Sequence, residues 1–230
     1  MQIDSHMHFW RLERGDYDWI TDDLALIKRD FGPEHARPLI EDCGIDAVIL
    51  VQAAPTVAET RFLLEHAARE TWVRGVVGWV DMAARDAPDR IAELALDPDL
   101  KGIRPMIHDI PDVGWMLRPE LEPAFDALIG LGLTFDALVR PVHLASLLEL
   151  LGRYLELGTV IDHGAKPDIA AGEIEPWAGQ MAALGRHTGA FCKLSGLITE
   201  ARRAWTTGDL QPYVDVLLHA FGPERLIERW

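Results

Sequence analysis

The chain has 230 residues, 49% of them apolar and 26% charged, with a formal net charge of −15. This composition excludes disordered, collagenous and coiled-coil chains and fits a single domain over residues 1–230 with a sizeable core. The acidic balance excludes nucleic acid and an anionic membrane surface as partners, because binding there needs clustered Lys and Arg to displace counterions.

No window of about 18 apolar residues marks a membrane span, and the start MQIDSHMHFW lacks the basic and apolar regions of a signal peptide. Cys43 and Cys192 lie far apart, each beside an apolar stretch, and read as two packed thiols in a reducing, cytoplasmic compartment.

Short apolar runs at residues 2–6, 46–52, 73–80, 101–106, 133–138, 159–163, 191–195 and 225–228 predict strands, most too apolar for a half-exposed antiparallel sheet. Between them, helical spacing predicts helices over 33–42, 57–70, 86–96, 119–129, 142–157, 175–187 and 209–221, as in Leu144, Leu147, Leu148 and Leu151. This alternation is the signature of parallel βα units. The count is that of a TIM-type (β/α)8 barrel, an α/β fold, lacking its last helix. A doubly wound open sheet is the alternative, and it lacks support because no glycine-rich dinucleotide loop follows the first strand. Residues 9–31, carrying Trp10, Tyr17 and Trp19, form a long excursion that reads as a lid or pocket wall, with a self-packed Ω-loop as the bland alternative.

Barrel active sites collect where strands end, and polar residues end these runs. His6 and His8, two apart on the first strand, face one side and suit a shared metal or substrate oxygen, although strand-end histidines also serve as packed hydrogen-bonding residues. His163 ends the sixth run after Asp162, whose bland role is to hold backbone or Lys166 in the next loop. Arg104 can clamp a carboxylate or polarise a carbonyl, against a structural ion pair with Asp81 or Asp136. His108 follows in a loop. Asp136 lies on the fifth strand with Arg140 beyond it, and Lys193 on the seventh points into the barrel mouth or snorkels outward. Ser195 before Gly196 reads as a cap, since no nucleophile elbow surrounds it. His35, His66, His187 and His219 read as surface or packing residues, as do Trp72 and Trp177.

The segments Ile3-Asp4-Ser5-His6-Met7-His8-Phe9-Trp10, Lys101-Gly102-Ile103-Arg104, Phe135-Asp136 with Arg140-Pro141, Ile161-Asp162-His163 with Lys166-Pro167, and Lys193-Leu194-Ser195-Gly196 occur in order along nearly the whole chain. Together they resemble the amidohydrolase-related lactonases, and more narrowly the sugar-lactone branch of L-fuconolactonase and L-rhamnonolactonase type, related to the pyrone-dicarboxylate lactonases. The resemblance implies hydrolysis of a sugar-acid lactone in carbohydrate catabolism, although some relatives isomerise lactones instead. It assigns His6, His8 and His163 to polarising the carbonyl or holding a divalent metal such as zinc, which some members lack. It assigns Arg104 and His108 to orienting the substrate, and Asp136, Arg140 and Lys193 to the pocket wall. Small lactones or sugar acids are the implied partners.

The family continues its eighth strand into a Gly-Ser-Asp-Trp-Pro type segment whose aspartate activates water. Here the chain reads Glu224-Arg225-Leu226-Ile227-Glu228-Arg229-Trp230 and stops. Glu228 is the nearest substitute, and one residue of register decides its direction. The alternative function is therefore a truncated or impaired barrel that binds a sugar acid or partner without turnover. An uncapped barrel also favours association into a homo-oligomer.

Overall fold

The computed structural model describes residues 1–228. Backbone contacts divide the chain into two compact units, Met1–Pro105 and the residues from Met106 onward.

In the first unit four parallel strands pair in chain order: β1 (Ile3–Met7), β2 (Ala47–Val51), β3 (Val73–Gly78) and β4 (Leu100–Ile103). β2 reads Ala-Val-Ile-Leu-Val and is buried at every position but Ile49, the continuous apolar run that a strand covered on both faces requires. Helices α1 (Pro33–Asp42), α2 (Val57–Arg69) and α3 (Ala87–Leu94) lie between the strands. The α2 helix opens on Thr56, whose hydroxyl accepts the Glu59 backbone N–H at 3.0 Å, a cap that stabilises by about 1 kcal/mol. A Cβ on Gly78 would sit 2.3 Å from the Thr60 methyl, so glycine is what lets α2 lie against β3.

Residues 9–31 fold as a packed Ω-loop rather than an open lid. Trp10 and Phe31 pair across its neck through two backbone hydrogen bonds of 2.9 and 3.0 Å. Trp10, Tyr17 and Ile20 then build a small core of their own with Ala53 and Ala54. Beneath that core Glu59 is wholly buried and accepts the Tyr17 hydroxyl at 2.5 Å and the Ala53 N–H at 3.0 Å. Arg14 lies 3.5 Å from Glu59 and 2.6 Å from Asp16. Burial pushes the Glu59 carboxyl above the usual range, against the pull of these donors.

In the second unit β5 (Thr134–Ala137), β6 (Thr159–Ile161), β7 (Phe191–Leu194) and β8 (Leu226–Glu228) are again parallel and in chain order. Helices α4 (Glu122–Leu131), α5 (Leu144–Arg153), α6 (Trp177–His187) and α7 (Thr207–Phe221) alternate with them. The α5 helix buries Leu144, Leu147, Leu150 and Leu151. Leu148, expected on that face, lies at its edge. Each buried leucine contributes roughly 1.5–3 kcal/mol. A Cβ on Gly185 would come within 2.1 Å of the Ala220 carbonyl oxygen, so α6 and α7 cross backbone to backbone there. The Arg225 guanidinium donates to the carbonyls of Gly185 at 2.6 Å and Thr188 at 3.0 Å, placing a cation where the α6 dipole is negative.

Strand boundaries shift from the sequence expectation in one place that matters. β6 stops at Ile161, so His163 lies in the turn beyond it rather than on a strand. Cys192 is buried as expected, whereas Cys43 is exposed because it terminates α1 on its solvent side. The Glu228 side chain, weighed above as a general base, lies outside the described residues, as do Arg229 and Trp230. Among the described residues no helix is long and apolar enough to cross a membrane.

Candidate active site

The first unit gathers its polar residues at the ends of β1, β2 and β4. Strand alternation puts Asp4, His6 and His8 on one side of the chain, with Asp4 and His6 buried and His8 half-buried. The Asp4 carboxylate accepts the His6 backbone N–H at 2.9 Å. The two imidazoles meet edge to face, their Nε2 atoms 3.1 Å apart.

His8 Nδ1 lies 2.7 Å from the Val51 carbonyl oxygen, which can only accept, so a proton sits on Nδ1 and Nε2 is the nitrogen turned toward His6. Two imidazole nitrogens on one tetrahedral zinc, at about 2.0–2.1 Å each, stand about 3.3 Å apart. The His6–His8 pair fits that requirement, and the Val51 bond is the outer-shell support that a ligating histidine ordinarily has.

Arg104, just past β4, is buried and closes this cluster. Its Nη1 lies 3.5 Å from His6 Nε2, and Nη2 donates to the Gln52 carbonyl. The Gln52 side-chain amide returns a bond of 2.8 Å to the Arg104 carbonyl, so each residue holds the other's backbone. Asp4 and Gln52 carry roles not assigned from sequence. The Asp4 signal was present in the alternation with His6 and His8, while Gln52 was visible only as a polar strand end.

In the second unit the charged residues on the strands are enclosed. Lys193 of β7 lies 2.7 Å from Asp136 of β5 and 2.8 Å from Asp162 after β6, and all three are almost wholly buried. Burial and the Asp162 charge push the Asp136 carboxyl up, with Lys193 pulling the other way. The Lys193 ammonium is held in its charged form by both carboxylates, in spite of burial. Asp162 therefore serves Lys193 and not Lys166, which pairs with Glu200. Asp136 and Lys193, expected in the pocket wall, are 2% and 3% exposed.

His163 stands at the start of an unusual turn. His163, Gly164, Ala165 and Lys166 all take left-handed backbone angles, with φ of +53°, +58°, +59° and +52°. For residues other than glycine that conformation costs about 1–2 kcal/mol each. The turn is held by the Trp177 indole, which donates to the Gly164 carbonyl at 2.7 Å, and by the Lys166–Glu200 pair. Ser195 Oγ lies 2.8 Å from His163 Nδ1. Sequence reasoning gave Ser195 a capping role, yet the turn that follows it has no side-chain cap.

His108 lies in a short turn after β4, its ring 2.9 Å from the Asp109 carboxylate. Arg140 is exposed and helps to line a cavity of about 540 Å³ with Lys166, Thr199, Glu200, Glu173 and Trp177. His143, unassigned from sequence, is buried beside it and accepts the Arg140 backbone N–H at 3.1 Å.

These two sets of strand-end groups, on strands that alternate with helices in one direction, are the parts of a barrel hydrolase. Residues 3–227 match the Amidohydrolase family. The chain belongs to this family and has its (β/α)8-barrel fold. It is 46% identical to an L-fucono-1,5-lactonase of Burkholderia ambifaria over 98% of this chain and 78% of that one. An L-fucono-1,5-lactonase of Burkholderia multivorans is 34% identical, over 99% of this chain and 80% of that one. A solved amidohydrolase from Burkholderia multivorans, with zinc bound, superposes with a TM-score of 0.91 at 33% identity, covering 100% of this chain and 83% of that chain.

Proposed function

We propose that the protein is a hydrolase that opens a sugar-acid lactone of the L-fucono-1,5-lactone class, acting as one amidohydrolase barrel domain in the cytoplasm. The observation that carries this reading is the converging His6–His8 pair, with its tautomer set by Val51, in a chain 46% identical to an L-fucono-1,5-lactonase. Two unpaired cysteines support the reducing compartment.

In this reading water adds to the lactone carbonyl, the ring C–O bond breaks, and the ring oxygen leaves as a hydroxyl. The sugar acid so formed ionises and releases one proton to solution. Arg104, a fixed positive charge beside His6, stabilises the oxyanion that develops as water adds. His108 and Arg140 orient the hydroxylated part of the substrate, and His6, His8 and His163 face its carbonyl. A divalent ion held by those three histidines would supply Lewis-acid polarisation of that carbonyl. The enclosed Lys193 and Asp136 are given a structural part instead.

The test is proton release across a panel of aldonolactones, with wild type beside His6→Ala and His163→Ala, and metal content measured before and after chelation. Stereoselective turnover that falls about 10²–10³-fold in each variant is expected, the size associated with losing one preorganised group at a developing oxyanion. Full turnover in both variants would remove these residues from the site.

A further inference from the structure

We infer that Ser195 and Gly196, at the turn after β7, are the positioning pair for His163, setting the direction of its ring. This rests on the reading that His163 acts on the lactone. A strand residue is aimed by the pleat, but His163 has left the strand and its backbone is left-handed, so its ring is aimed by what touches it. Two contacts do so.

Ser195 Oγ lies 2.8 Å from Nδ1 and ties that edge of the ring to the turn after β7. Gly196 closes the space on the same side. A Cβ there would lie 2.9 Å from His163 Cγ and Nδ1 and 3.0 Å from its Cβ, and Gly196 itself has φ of +67°. Only glycine takes that backbone angle freely and leaves room for the ring.

A capping role does not account for Ser195. The turn Leu197–Thr199 is closed by the Thr199 hydroxyl, which donates to the Gly196 carbonyl at 2.7 Å, and it takes no side-chain cap from the preceding residues. The Ser195 hydroxyl is thus committed to the imidazole and not to the backbone. Outer-shell groups of this kind typically change activity by about 10–100-fold when removed.

The experiment compares Ser195→Ala, Ser195→Thr and Gly196→Ala with wild type and His163→Ala, by lactone kinetics and by nitrogen-15 NMR of the histidine rings. Ser195→Ala is expected to lower kcat about 10–100-fold with KM little changed, and to shift the nitrogen-15 resonance of His163 Nδ1, which loses the Ser195 hydroxyl. Ser195→Thr, which keeps the hydroxyl, restores both. Gly196→Ala lowers kcat further; if it fails to fold, the serine variants decide. An inactive His163→Ala beside a Ser195→Ala with wild-type kcat and an unchanged Nδ1 resonance overturns the positioning role alone. Wild-type turnover in His163→Ala overturns the underlying reading along with it.

Discussion

The two halves of the chain use one pattern, parallel strands ending in polar residues, to opposite ends. In the first, the Val51 carbonyl holds His8, Arg104 and Gln52 hold each other's backbone, and His8 remains half-buried. In the second, Lys193, Asp136 and Asp162 spend their charges on each other out of reach of solvent. The difference teaches that a strand end places a reactive residue but does not make it available. A neutral carbonyl such as that of Val51 orients a ring, whereas the charges of Lys193, Asp136 and Asp162 hold one another in the interior.

The contrast can be broken most sharply at Lys193. Lys193→Met leaves two carboxylates buried without their cation, and loss of one partner from a buried ion pair costs about 3–5 kcal/mol. Denaturant unfolding measures it, and a loss below about 1 kcal/mol would mean that the triad is not the internal brace described. The matching change in the first half, Gln52→Leu, removes an uncharged hydrogen bond to the Arg104 carbonyl. It should cost about 1–3 kcal/mol in the same assay, so equal losses at the two positions would erase the distinction.

The smallest effect is one of pH. Burial lowers the pKa of His66 in the first half, and of His143 in the second, below the ordinary 6.5. Each therefore binds its proton more readily unfolded than folded. Their contribution is fully present above 6.5 and is lost as pH falls through that value toward the lowered folded-state pKa. Thermal unfolding from neutral to mildly acidic pH should show a falling midpoint, with a shallower fall in His143→Gln. An unchanged slope in that variant would contradict the assignment.

Much of this was legible in the sequence because periodicity is local. The eight runs, the helix over Pro33–Asp42 and the His6–His8 spacing follow from residues that are neighbours in the chain. What was not legible depends on pairs distant in sequence. Lys193 meets Asp136 only through strand pairing, and the long excursion packs on itself because Tyr17 finds Glu59. Nothing in Ile161-Asp162-His163 announces that the strand ends two residues early and turns left-handed. That turn is held by Trp177 and by the Lys166–Glu200 pair, with partners from other elements.

The most direct measurement is proton release from L-fucono-1,5-lactone by wild type and His8→Ala, with thermal unfolding of both preparations. The account predicts turnover by the wild type, a fall of about 10²–10³-fold in the variant, and nearly equal unfolding temperatures, because His8 is only half-buried. Wild-type turnover in a stably folded His8→Ala would contradict it.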